Sequence, residues 1–136
     1  MIQIIHGKKG SGKTKKILNM AIESVKTANG DIVFVDDDAR YMYDLPHEIR
    51  FVIASDYGVN SPDMCLGFLS GMLTQNFDIS IVFVDAFMKL VKVPAEELES
   101  FFTRLEAISE AHHVDFVISA SVDDAVAPDF LRKYFI

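Results

Sequence analysis

The run Gly7-Lys8-Lys9-Gly10-Ser11-Gly12-Lys13-Thr14 holds the residue types a polyphosphate needs, at the required spacing. It fits G-x-x-x-x-G-K-[ST] and stands between an apolar run, Ile2 to His6, and a helical pattern that starts at once. Gly7, Gly10 and Gly12 let backbone N–H groups turn inward, because no Cβ stands in the way. The helix start adds unpaired donors and the positive end of its dipole. Lys13 is expected to reach the terminal phosphates, and the Thr14 hydroxyl to ligate Mg2+. Lys8, Lys9 and Lys15, with Ser11, complete the basic cradle.

A metal-dependent site needs a second anchor. Ile81-Val82-Phe83-Val84-Asp85 is an apolar strand ending in a carboxylate, and Asp85 is expected to hold Mg2+ with Thr14. Ala86 follows it, so the Glu that often serves there as general base is missing. His112 and His113 read as cations at a helix end, since neighbouring helical residues point to different faces.

The elements that must position these groups follow from short apolar runs alternating with helical patterns. Runs at Ile2 to His6, Asp31 to Asp36, Phe51 to Ser55, Ile81 to Asp85 and Asp115 to Ala120 predict five strands. Their lack of strict alternation predicts a mainly parallel sheet covered on both faces, a three-layer α/β/α fold. Helices are expected from Gly12 to Ala28, from Ser61-Pro62-Asp63 onward, from Pro94 and from Pro128. The second is apolar nearly all round, which predicts a buried helix. Its Gly67 and Gly71 share a face, which predicts close approach to the sheet. Ala39 to Arg50 reads as either a hairpin or a short helix and loop.

At 136 residues, half of them hydrophobic, the chain reads as one domain, residues 1–136, with a packed core. The single cysteine, Cys65, excludes an internal disulfide and reads as a core residue. No apolar run approaches the roughly 20 residues that span a bilayer. The N-terminal lysines follow the first apolar run and do not precede it, unlike a signal peptide. A cytoplasmic protein without membrane contact is the expectation. Net charge is -7, and the lysines gather only around the loop. That arrangement suits a small polyphosphate and disfavours nucleic acid.

Taken together, residues Ile2 to Ala120 resemble the RecA-like branch of the P-loop NTPases, and the chain also looks like small stand-alone P-loop ATP-binding proteins. The resemblance implies ATP or GTP as ligand, Mg2+ as cofactor, and a strand order 1-5-4-2-3. It implies a catalytic base at the end of the second strand, where Asp38 stands in the family's Glu position, one methylene short. It also implies a polar γ-phosphate sensor on the fifth strand, which ends Ser119-Ala120-Ser121. The expected activity is slow NTP hydrolysis, with Lys13 and Asp38 as catalytic residues. A nucleotide-binding switch and a small nucleoside or nucleotide kinase are the alternatives. The four arginines, Arg40, Arg50, Arg104 and Arg132, are scattered, and none is an evident charge-stabilising finger in the same chain. Completion by a homo-oligomer or protein partner is therefore expected.

Overall fold

A computed structural model of the chain describes residues 1–136. Five strands, β1 (Ile2–Gly7), β2 (Asp31–Asp36), β3 (Ile49–Ile53), β4 (Ile79–Val84) and β5 (Asp115–Ser121), form one sheet in the order β1-β5-β4-β2-β3. Every strand pair is parallel. The order is the one the resemblance implies. Five α-helices accompany it: α1 (Lys13–Ser24), α2 (Pro62–Gln75), α3 (Phe87–Val91), α4 (Glu99–His112) and α5 (Asp129–Arg132). No helix is long and apolar enough to cross a membrane.

The continuous apolar strands divide their side chains between two cores. Ile5, Ile32, Phe34, Phe83 and Val117 face α1 and pack with Ile17 and Ala21. Ile4, Val33, Val35, Val82, Val84, Phe116 and Ile118 face the opposite layer, where residues of α2 to α5 cover them. Alternation is present after all; both faces are buried, so it leaves no polar signature. In the thicker layer Phe87, Phe101 and Phe102 form an aromatic cluster, with centroid separations of 5.2 to 5.7 Å. Burying such a ring contributes about 1.5–3 kcal/mol. Phe87 thereby anchors the short α3, which the sequence reading missed. Cys65 is buried in the same core, and burial pushes its thiol up to about 12.

Several boundaries differ from the expectation. β3 runs Ile49–Ile53, and Ala54–Tyr57 that follows is a single 3-10 turn. α1 ends at Ser24, four residues early, where the Ser24 hydroxyl donates to the Ala21 carbonyl at 2.6 Å. Gly30, which follows it in the loop to β2, is required on steric grounds: a Cβ there would collide with the Asp78 carbonyl oxygen. α2 is capped as expected, with Ser61 Oγ accepting from the Met64 N–H at 3.1 Å. It is nevertheless only half covered. Cys65, Leu66, Leu69 and Leu73 are buried, while a Cβ built on Gly67 or Gly71 meets nothing within 4 Å. The glycine face therefore looks outward and does not press on the sheet. The segment 39–50 contains a 3-10 turn, Met42–Asp44, and no hairpin.

Candidate functional site

The loop between β1 and α1 is shaped by its glycines. Gly7, Gly10 and Gly12 have φ of 133°, 85° and 87°, a region where a side chain brings strain. At Gly7 a Cβ would also lie 2.7 Å from Ser11 Oγ. Gly12 is the N-cap of α1, and no side chain caps the helix. The first amides of α1 accordingly face the loop mouth without an intrahelical partner. Lys13 Nζ folds back over this mouth, donating to the Lys8 carbonyl at 2.8 Å and lying 3.4 Å from Ser11 Oγ. Burial holds its ammonium below the usual lysine range, and the charge of Asp85 partly opposes that effect.

Asp85 is the hub of the site. It follows the last residue of β4, and its own N–H donates to the Val35 carbonyl of β2 at 2.9 Å. It is only 3% exposed. Oδ2 accepts from the Thr14 hydroxyl at 3.1 Å, and Oδ1 accepts from the Ser119 hydroxyl. Three elements, α1, β4 and β5, thus meet at one carboxylate. Ala86, the next residue, has φ 55° and directs the chain sharply into α3. A small residue at this position limits the cost of a left-handed backbone.

These groups line a cavity of about 310 Å³, together with Lys9, Gly10, Gly12, Lys15 and Ser121. That volume is at the lower end of the ~300–1,000 Å³ range of small-molecule sites. Arg40 and Lys89 line it too. Spacing had given no sign of a positive side chain in the same chain; the fold brings in one from the β2–β3 connection and one from α3. Among the lining residues Asp85 is the only carboxylate. A larger concavity, about 690 Å³, lies between β3 and the open face of α2, far from the basic cluster.

Asp38 is absent from the lining. It sits in the turn after β2, where Oδ1 accepts from the Arg40 N–H at 2.9 Å and Oδ2 lies 3.8 Å from the Arg40 guanidinium. The carboxylate that the register sets next to Asp85 is Asp36. Val35 pairs with Val84, so the residues after them are neighbours. Asp36 is 2% exposed; its Oδ1 accepts from the Asp37 N–H at 2.7 Å and its Oδ2 has no partner. Burial, with help from Asp37 and the charge of Asp85, raises its carboxyl to about 8. The signal that could have found it is its place directly after the apolar run Ile32 to Val35, as the final residue of the strand. His113 is the C-cap of α4, as its position at a helix end implied.

Thr14, Asp85 and Ser119 supply only hard oxygen donors, and Thr14 and Asp85 already lie within contact. Such a set fits Mg2+ and gives no purchase to a soft, thiolate-seeking metal. Comparison of the sequence with models of known protein families and with curated proteins finds no match.

Proposed function

We propose that this chain binds ATP or GTP with Mg2+ through Gly7 to Thr14 and hydrolyses it slowly, as a small P-loop NTPase of RecA-like type. The observation that carries the reading is the convergence of Lys13, Thr14, Asp85 and Ser119 on one mouth, at the carboxyl ends of parallel strands. Open α/β sheets bind ligands at that end. On binding, Lys13 exchanges its loop carbonyl for phosphate oxygens. The amides of Gly10, Gly12 and Lys13 receive the remaining charge. Thr14 and Asp85 would hold the cation, which supplies positive charge and an ordering template to the phosphates. Arg40 and Lys89 supply further positive charge where it develops in transfer. Next to Thr14 and Lys15, a depression of about 290 Å³ lined by Leu18, Ile22 and Tyr41, with Asn19 and Asp44, offers a seat for the base.

A second reading is a nucleotide-binding switch that hardly turns over. It is favoured by one observation: no carboxylate besides Asp85 lines the cavity, and the neighbouring Asp36 retains its proton near neutral pH. Both readings require binding. A thermal-shift panel of ATP, ADP, GTP and GDP, with and without Mg2+, tests it. Ligand at about 100 times its Kd adds about 2.7 kcal/mol of stability. Absence of any shift overturns both readings; where a shift is seen, single-turnover hydrolysis separates them.

A further inference from the structure

The carboxyl end of β2 carries a feature that the nucleotide site does not use. Asp36, Asp37 and Asp38 each present a carboxylate oxygen within 4.8 Å of the other two. Such a cluster alone signifies little. The second observation is that the inner member, Asp36, is 2% exposed and keeps Oδ2 without any hydrogen-bond partner. A buried acceptor left unsatisfied costs about 1–3 kcal/mol, and more if it is charged. Native proteins rarely tolerate that without a reason.

The two outer carboxylates have only loose counter-charges. Lys89 Nζ lies 3.9 Å from Asp37 and the Arg40 guanidinium 3.8 Å from Asp38, both lysine and arginine well exposed. Pairs of this kind contribute little, about 0–1 kcal/mol. No cationic side chain reaches Asp36. Three carboxylates therefore converge with two weakly held positive charges, and the deepest oxygen has nothing to accept.

We propose that Asp36, Asp37 and Asp38 form a binding site for a hard divalent cation, separate from the Thr14–Asp85 pair. Binding displaces the Asp36 proton to solvent, and the donors are then all carboxylate oxygens, which select Mg2+, Mn2+ or Ca2+ over metals that prefer nitrogen or sulfur. Charge count governs affinity at such a site. Cation binding releases Lys89 and Arg40 from Asp37 and Asp38, and both side chains already line the phosphate cavity. The second ion thereby frees positive charge for the nucleotide.

The test uses the full chain without nucleotide, so it stands whether or not the nucleotide reading does. Mn2+ is titrated and free Mn2+ is followed by electron paramagnetic resonance. The expected result is one saturable site, displaced by Mg2+ and Ca2+. Asp37→Asn and Asp38→Asn weaken it on the order of tenfold or more, and Asp85→Asn leaves it in place. Circular dichroism checks each variant; because Asp37 and Asp38 are partly exposed, their variants carry the test even if Asp36→Asn does not fold. Non-saturating Mn2+ binding overturns the proposal. So does a site that survives Asp37→Asn and Asp38→Asn, or one that disappears with Asp85→Asn.

Discussion

The Thr14 hydroxyl donates to Asp85 Oδ2 at 3.1 Å, across 71 positions of sequence. The contact joins the helix that begins at the glycine loop to the end of the central strand. It fixes the two oxygens assigned to Mg2+ before any ligand arrives. Preorganisation of this kind removes a reorganisation cost from binding.

We predict that Lys13→Ala lowers ATP affinity on the order of 100-fold, about 2.7 kcal/mol. Lys13 already bends over the loop mouth, so its removal deletes a charge and leaves the glycine geometry intact. Calorimetric titration in Mg2+ checks it. An unchanged Kd would place the phosphates elsewhere.

Asp85→Asn is expected to abolish the gain in ATP affinity that Mg2+ gives, while binding without Mg2+ changes less. The amide can still meet Thr14 and Ser119, so the fold is retained. Titrations with Mg2+ and with chelator measure the difference. Equal Mg2+ enhancement in both proteins would make Asp85 purely structural.

Lys89→Met should lower kcat about tenfold or more with a smaller change in KM, if Lys89 stabilises charge that develops during transfer. Because Lys89 and Arg40 belong to the same chain as Lys13, turnover per chain should not depend on protein concentration. Steady-state assays over a dilution series decide both points. A rate that rises with concentration would restore a partner-supplied residue.

The buried Asp36 makes stability pH-dependent. Its folded value near 8 lies above the ordinary carboxylate value, so the folded state holds a proton that the unfolded chain releases above about pH 4. The contribution is fully present below pH 4 and is lost as pH rises through 8. At 1.36 kcal/mol per unit, even half of that displacement is worth about 3 kcal/mol. Without divalent cations, Asp36→Asn should therefore be more stable than wild type at pH 8.5, with the advantage shrinking toward pH 4. Urea midpoints at both ends of the range test this. A constant difference would mean that Asp36 does not titrate in that range.

The sequence was informative wherever the fold is written locally. The glycines from 7 to 12, the Ser61 cap and the five apolar runs all express short-range chemistry, and the structure returns each as a loop, a helix start or a strand. What it withheld depends on register and packing. Asp36 and Asp38 are two residues apart and chemically identical. Only the pairing of Val35 with Val84 brings Asp36 beside Asp85. Lys89 carries no sequence signal because α3, five residues long, is held by the buried Phe87 and not by helical periodicity. The outward face of Gly67 and Gly71 was misread because a small-residue pair fits open solvent as well as a close contact.

The strand order has a consequence for how the chain matures on the ribosome. β1, which leads into the glycine loop, has one partner in the sheet, and that partner is β5. During synthesis the loop emerges before β5, so its strand lacks its sheet partner until residue 121 has left the exit tunnel. β2, β3 and β4 can pair among themselves earlier, since their neighbours are close in sequence. Insertion of β5 between β1 and β4 closes the sheet and, through Ser119, completes the surroundings of Asp85 in the same step. Such long-range parallel pairing is slow to form. The surroundings of Asp85 are therefore completed only once β5 is in place, although the loop lysines are displayed well before it.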